Sequence, residues 1–147
     1  MITAWRITKR KHAKTAFRGE GARLYGGRWN SPGIPVNYAS ESQSLAALEM
    51  LVHLDSSDIL ENYIVFEIGI DEKLIIEVST AQLPGNWRKE RARELWLMGD
   101  DWIRSVASAV LRVPSTWIPS ESNFLLNPRH MDFERLHTSV NRRHSGR

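Results

Sequence analysis

The feature that most constrains this chain is the stretch from Tyr63 to Ile70, where Ile64, Phe66, Ile68 and Ile70 alternate with Tyr63, Val65, Glu67 and Gly69. Side chains of a strand point to opposite faces in turn, so a period of two predicts a half-buried strand and excludes a helix here. Leu74 to Val78 is expected to be its hairpin neighbour, because Asp71-Glu72-Lys73 is a short connection. Further strands are predicted at Ala4–Ile7 and Pro35–Tyr38, at Ala109–Val113 before Pro114, and at Phe124–Leu126 before Pro128. Helical signals are interspersed. Ser40 and Gln43 have capping-box spacing, and Leu45, Leu48 and Val52 follow as an apolar stripe. Lys89 to Met98 reads as a second helix with Gly99 as its C-cap, and Asp100 or Asp101 then opens a short third helix to about Ser105 or Val106. Strands and helices mix without regular βαβ alternation, so the predicted class is α+β. The 147 residues suit one domain, with no repeat, linker or low-complexity block.

Composition narrows the function classes. There is no cysteine, so disulfides, thiolate metal ligands and thiol nucleophiles are excluded. No run approaches the ~18 apolar residues of a membrane span. Met1 to Arg6 lacks the basic-then-apolar order of a secretory signal, so a cytoplasmic protein with no membrane contact is expected. The net charge of +3 is uneven, with Lys9, Arg10, Lys11 and Lys14 in one cluster and Arg142, Arg143 and Arg147 in another. Such clusters suit a polyphosphate or an acidic partner, or are a solvated loop and a basic, flexible tail over residues 138–147. The five histidines never fall at i, i+4 with the glutamate of a zinc hydrolase, so no metal is assigned.

Three features can carry chemistry. Glu49 lies on the predicted helix four residues after Leu45 and three before Val52, at the edge of the apolar arc. A carboxylate there reaches solvent, or is paired, hydrogen-bonded or functional, since an isolated buried charge is costly. Gly26-Gly27-Arg28-Trp29-Asn30 lets the backbone approach a ligand or take positive φ, with Arg28 held near the centre of the loop. Its planar fork suits phosphate or carboxylate, although an exposed arginine on a turn has the same signature. Tyr38, just before the helix of Glu49, offers a ring to stack on a heterocycle and a hydroxyl to anchor a ribose, or is core with a wet tip. Of six tryptophans, Trp29 is the one expected to line a pocket.

In order along the chain, Trp5-Arg6-Ile7, Gly26-Gly27-Arg28-Trp29-Asn30-Ser31 with Gly33, Tyr38-Ala39-Ser40, Ala46-Ala47-Leu48-Glu49, Leu111-Arg112-Val113-Pro114-Ser115 and Asn127-Pro128 with His130 resemble the RES domain family. The resemblance runs from about residue 4 to 134, and the domain is placed at 1–137. Each motif alone is weak; the ordered set is specific. It implies a core similar to ADP-ribosyltransferases, with two small, mainly antiparallel sheets and flanking helices around an NAD cleft. It further implies a toxin of a type II toxin–antitoxin pair that consumes NAD+ as substrate, with no cofactor. The partner would be an Xre-like helix-turn-helix antitoxin that blocks the active site and carries any DNA binding. Carried over by position, catalysis falls to Glu49, Arg28 and Tyr38, and NAD+ binding to Arg6, Arg28, Tyr38 and Ser115. Ser115 is preferred to Ser120 and Ser122 because it follows Val113-Pro114.

On that resemblance, the expected reaction is cleavage of the nicotinamide–ribose bond by hydrolysis or phosphorolysis, a glycosidase activity. Glu49 would stabilise the cationic ribose, the two arginines would hold the pyrophosphate, and Ser115 would fix the nicotinamide amide or its ribose. ADP-ribosyl transfer to a host protein is the alternative. A nucleic-acid-acting toxin or a non-enzymatic binding module stands behind it, but the basic and aromatic residues are not interleaved as in single-strand binders.

Overall fold

The computed structural model describes residues 1–51, 62–89 and 92–141. Along the chain run β1 (Ile2–Lys9), α1 (Glu20–Tyr25), β2 (Asn37–Ser40), α2 (Gln43–Leu51) and β3 (Tyr63–Ile70). They are followed by β4 (Ile75–Glu77), α3 (Arg93–Ser105), β5 (Val110–Pro114), β6 (Ser122–Leu126) and β7 (His137–Val140). The class is α+β, as the mixed pattern predicts. The strands form one sheet in the order β4-β5-β6-β2-β1-β3-β7, where two small sheets were expected. The reason is one contact. β1 meets β2 at the single register pair Trp5↔Ser40, which joins a four-stranded half to a three-stranded half.

The alternation at Tyr63–Ile70 is a strand, with Phe66, Ile68 and Ile70 buried and eight register pairs to β1. Its expected hairpin with Leu74–Val78 does not form. Both edges of β3 are taken, by β1 and β7, and β4 lies across the sheet, parallel to β5 with Ile75 opposite Val110. Residues 138–140, read as the start of the tail, belong to β7 and pair with β3. The arginines of the tail lie outside the described residues, as does Val52 of the α2 stripe.

β5 and β6 send apolar residues into cores on both faces of the sheet, with the half-buried Arg112 interrupting the run in β5. Val110, Phe124 and Leu126 enter one core with Ala4, Ile68 and Ile70. Leu111, Val113 and Leu125 enter the other, with Trp29, Leu95, Trp102 and Ile103. That second core is roofed by α3, whose Leu95, Trp102 and Ile103 repeat at helical spacing.

Two helix boundaries differ from expectation. Ser40 is a strand residue, and α2 is capped instead by Ser42, whose Oγ accepts from the Leu45 N–H at 3.0 Å. Gly99 is not a cap: α3 runs through it from Arg93 to Ser105 and ends at Val106, which takes the left-handed conformation at φ 52°. The glycine has a packing cause. A Cβ there would lie 1.7 Å from the Trp29 carbonyl oxygen, so the 26–31 loop can lie on the helix only where the side chain is missing.

Candidate functional site

Beyond Trp5↔Ser40 the two halves of the sheet separate, and a cleft of about 690 Å³ opens there. Arg6 of β1, Arg28 of the Gly-rich loop, Tyr38 of β2 and Glu49 of α2 all line it. Four of the five sequence-predicted residues therefore share one cavity. The fifth, Ser115, is fully buried just after β5 and does not line the cleft.

Glu49 is held from one side. Its Oε1 accepts from Ser115 Oγ at 2.8 Å and from Asn123 Nδ2 at 3.0 Å. Ser115 Oγ is fixed in turn by the N–H groups of Trp117 and Ile118, at 3.2 and 3.1 Å. Asn123 sits opposite Ser40 in the β2–β6 pairing, and its Oδ1 accepts from Ser40 Oγ at 2.7 Å. A strand pairing and a turn thus set the orientation of one carboxylate. Charge-assisted hydrogen bonds of this kind are short and strong. Ser115, implied by the resemblance to fix nicotinamide or its ribose, is fully buried here and donates to the Glu49 carboxylate. Asn123 lines the cleft and was missed from sequence. Its one signal is a carboxamide at the polar end of the apolar run Phe124-Leu125-Leu126.

The hydroxyl of Tyr38 is also engaged. It donates to Asn30 Oδ1 at 2.6 Å and accepts from the Trp29 N–H at 3.1 Å, so it braces the loop. Burial, reinforced by the charge of Asp100, pushes its pKa further up against the Trp29 N–H and Arg28, and the phenol stays protonated at neutral pH. Gly27 makes room for this: a Cβ there would come within 2.8 Å of both the Tyr38 hydroxyl and Asn30 Oδ1. What Tyr38 offers the cleft is its ring. Trp29, expected to line a pocket, is 2% exposed and packs under α3, while Trp5 is the tryptophan at the cleft.

Arg6 donates from Nε to the Ala16 carbonyl and from Nη1 to the Tyr38 carbonyl, both at 2.8 Å. Burial lowers its pKa to about 10, so it remains a cation at neutral pH. Arg28 donates from Nη1 to the Lys89 carbonyl at 2.8 Å. The cleft thus combines two guanidinium groups, an aromatic ring and a fixed carboxylate. That set suits an anionic substrate with a planar heterocycle, whose reaction develops positive charge beside the carboxylate. Among the described residues no group of three or more His, Asp or Glu is placed to hold a metal ion. No helix among them is long and apolar enough to cross a membrane.

The RES domain profile matches residues 3–145. The chain belongs to the RES family. Among related RES proteins, Toxin Res of Yersinia enterocolitica is 40% identical over 137 residues, covering 92% of this chain and 90% of that one. The Prs ADP-ribosylating toxin of a Sphingobium strain is 37% identical, over 87% and 83%. In fold, this RES domain is similar to a chain of the MbcT–MbcA toxin–antitoxin complex of M. tuberculosis, with a TM-score of 0.70 and 18% identity over 95% and 83%.

Proposed function

We propose that this RES domain is the toxin of a toxin–antitoxin pair and that it breaks the nicotinamide–ribose bond of NAD+. The observation that carries the reading is Glu49, a carboxylate fixed by Ser115 and Asn123 in the same cleft as Arg6, Arg28 and Tyr38. The relatives named as toxins over nearly the whole chain support it.

The chemistry follows from the substrate. Nicotinamide in NAD+ is cationic and leaves with the bonding electron pair, becoming neutral. C1′ of the ribose becomes electron-deficient, and the Glu49 carboxylate stabilises the positive charge that develops there. Arg6 and Arg28 bind the pyrophosphate, and the Tyr38 ring packs against the nicotinamide. An acceptor then attacks C1′ and gives up a proton. With water the products are ADP-ribose, nicotinamide and a proton; inorganic phosphate would give a phosphorylated ADP-ribose. NAD+ is the substrate, and the reaction needs no other cofactor. A helix-turn-helix antitoxin is the proposed partner, covering the cleft.

Incubation of purified protein with NAD+ tests the reading: free nicotinamide should appear in proportion to enzyme and time, and its absence would refute it. A second reading, transfer of ADP-ribose to a host protein, is favoured by the relative named as an ADP-ribosylating toxin. Adenine-labelled NAD+ separates the two. Label that stays in small molecules supports cleavage, and label that enters protein supports transfer.

A further inference from the structure

Arg28 is held in place from outside the cleft. On one face of α3, Trp96, Gly99 and Asp100 stand at i, i+3 and i+4. Each meets the loop that carries Arg28. Trp96 Nε1 donates to the Gly27 carbonyl at 2.7 Å, immediately before Arg28. Gly99 lets the Trp29 carbonyl, immediately after it, lie on the helix. Asp100 is 6% exposed, and its carboxylate accepts from the Ser31 N–H at 3.0 Å and from Ser31 Oγ at 2.5 Å. From the opposite side the Tyr38 hydroxyl accepts from Trp29 N–H and donates to Asn30. The loop is thus bolted between a helix and a strand, and Arg28 lies between the bolts.

A buried carboxylate is a costly choice for a purely structural contact, because an unpaired charge is heavily penalised away from water. Here it serves two donors of a single residue, the geometry that fixes a loop in one register. Ser31 lies within the connection between α1 and β2, and no residue of α3 itself lines the cleft.

We propose that Asp100 is a positioning residue for substrate binding: by clamping Ser31 to α3 it fixes the 26–31 loop, and thereby the guanidinium of Arg28, where the substrate pyrophosphate lies. The inference rests on the NAD+ reading for the identity of that substrate. Asp100 itself touches no substrate. Because Arg28 binds the pyrophosphate equally in ground and transition states, a displaced Arg28 raises KM and leaves kcat nearly unchanged.

The test is steady-state nicotinamide release from NAD+ by wild type, Asp100→Ala, Asp100→Asn, Arg28→Ala and the Asp100→Ala/Arg28→Ala pair, each with a melting curve. Asp100→Ala is expected to raise KM about tenfold with kcat within about twofold. Asp100→Asn keeps an acceptor for the Ser31 N–H and offers its own N–H to Ser31 Oγ, so it should restore KM to within about threefold. The pair should bind no worse than Arg28→Ala alone, because both changes remove one interaction. Should Asp100→Ala fail to fold, Ser31→Ala removes the Oγ half of the clamp and keeps the backbone N–H bond, so KM should rise in the same direction by about threefold, and an unchanged KM overturns the inference. A folded Asp100→Ala with wild-type KM, or a pair whose KM effects multiply, overturns the inference and leaves the NAD+ reading intact. A wild-type protein that releases no nicotinamide refutes that reading, and the inference falls with it.

Discussion

Replacing Gly99 by alanine tests the packing of the Arg28 loop on α3. In an open helix the change stabilises by about 1 kcal/mol, because alanine is the better helix former. At position 99 the new Cβ would lie 1.7 Å from the Trp29 carbonyl oxygen, with the Trp29 carbonyl carbon at 2.8 Å. A carbon–oxygen contact relaxes only near ~3.3 Å, so the loop must withdraw by about 1.6 Å. That withdrawal strains the Trp96–Gly27 bond and the two bonds from Ser31 to the Asp100 carboxylate. Overpacking costs about 1–3 kcal/mol and a weakened bond to a charged acceptor about 1.5–3, partly offset by the helix gain. The expected net loss is about 1.5–5 kcal/mol, read as a fall in Tm of about 4–15 °C for a domain of this size. Gly21→Ala is the control. Gly21 lies in α1 and a Cβ there meets nothing within 4 Å, so that change should be neutral or stabilising. Thermal melts of both variants decide the matter. A Gly99→Ala protein as stable as Gly21→Ala would refute the close approach of loop and helix.

Other predictions concern the cleft. Ser115→Ala and Asn123→Ala each remove a bond to Glu49 Oε1, and each should lower kcat about tenfold or more, with KM less affected, in a nicotinamide-release assay. Trp96→Phe removes the indole N–H that fixes the Gly27 carbonyl, and should cost about 1 kcal/mol in a denaturant melt while keeping the fold. Arg6 adds a pH dependence. A bound pyrophosphate favours its cation, so its pKa is higher in the complex than the value of about 10 in the free protein. Its contribution to NAD+ affinity is therefore complete below about pH 10 and declines above it. Calorimetric titrations on either side of that pH, in wild type and in Arg6→Ala, should show a loss of affinity specific to wild type.

How much of this was legible in the sequence depends on the range of the interactions. The period of two at Tyr63–Ile70 is a local signal, and it gave the strand and most of its buried face. Partners are non-local. Nothing in Asp71-Glu72-Lys73 tells that β3 already has two neighbours, so β4 could not be sent across to β5 from spacing alone. Gly99 misled for a related reason: a glycine after an apolar helix looks like a cap, and the carbonyl that requires it belongs to Trp29, seventy residues earlier. In the site, Glu49 stood out because a carboxylate at the edge of an apolar stripe needs an explanation. Its holders did not. Ser115 was reached through the family resemblance and assigned a direct contact, whereas Asn123 and Asp100 emerge only when strands and helices converge. Tyr38 lines the cleft, and its hydroxyl is engaged by a loop that folds back from residues 29 and 30.

Glu49→Gln tests most directly whether the Glu49 carboxylate drives the reaction. The amide keeps an oxygen to accept from Ser115 and Asn123, so the fold and NAD+ binding should persist while the negative charge is lost. Purified wild type and variant should be compared for nicotinamide released from NAD+ across a range of concentrations. The expected result is a fall in kcat of at least about a hundredfold, the scale of a lost transition-state electrostatic contact, with KM changed little. A Gln variant as active as wild type would contradict the electrostatic role of the Glu49 carboxylate.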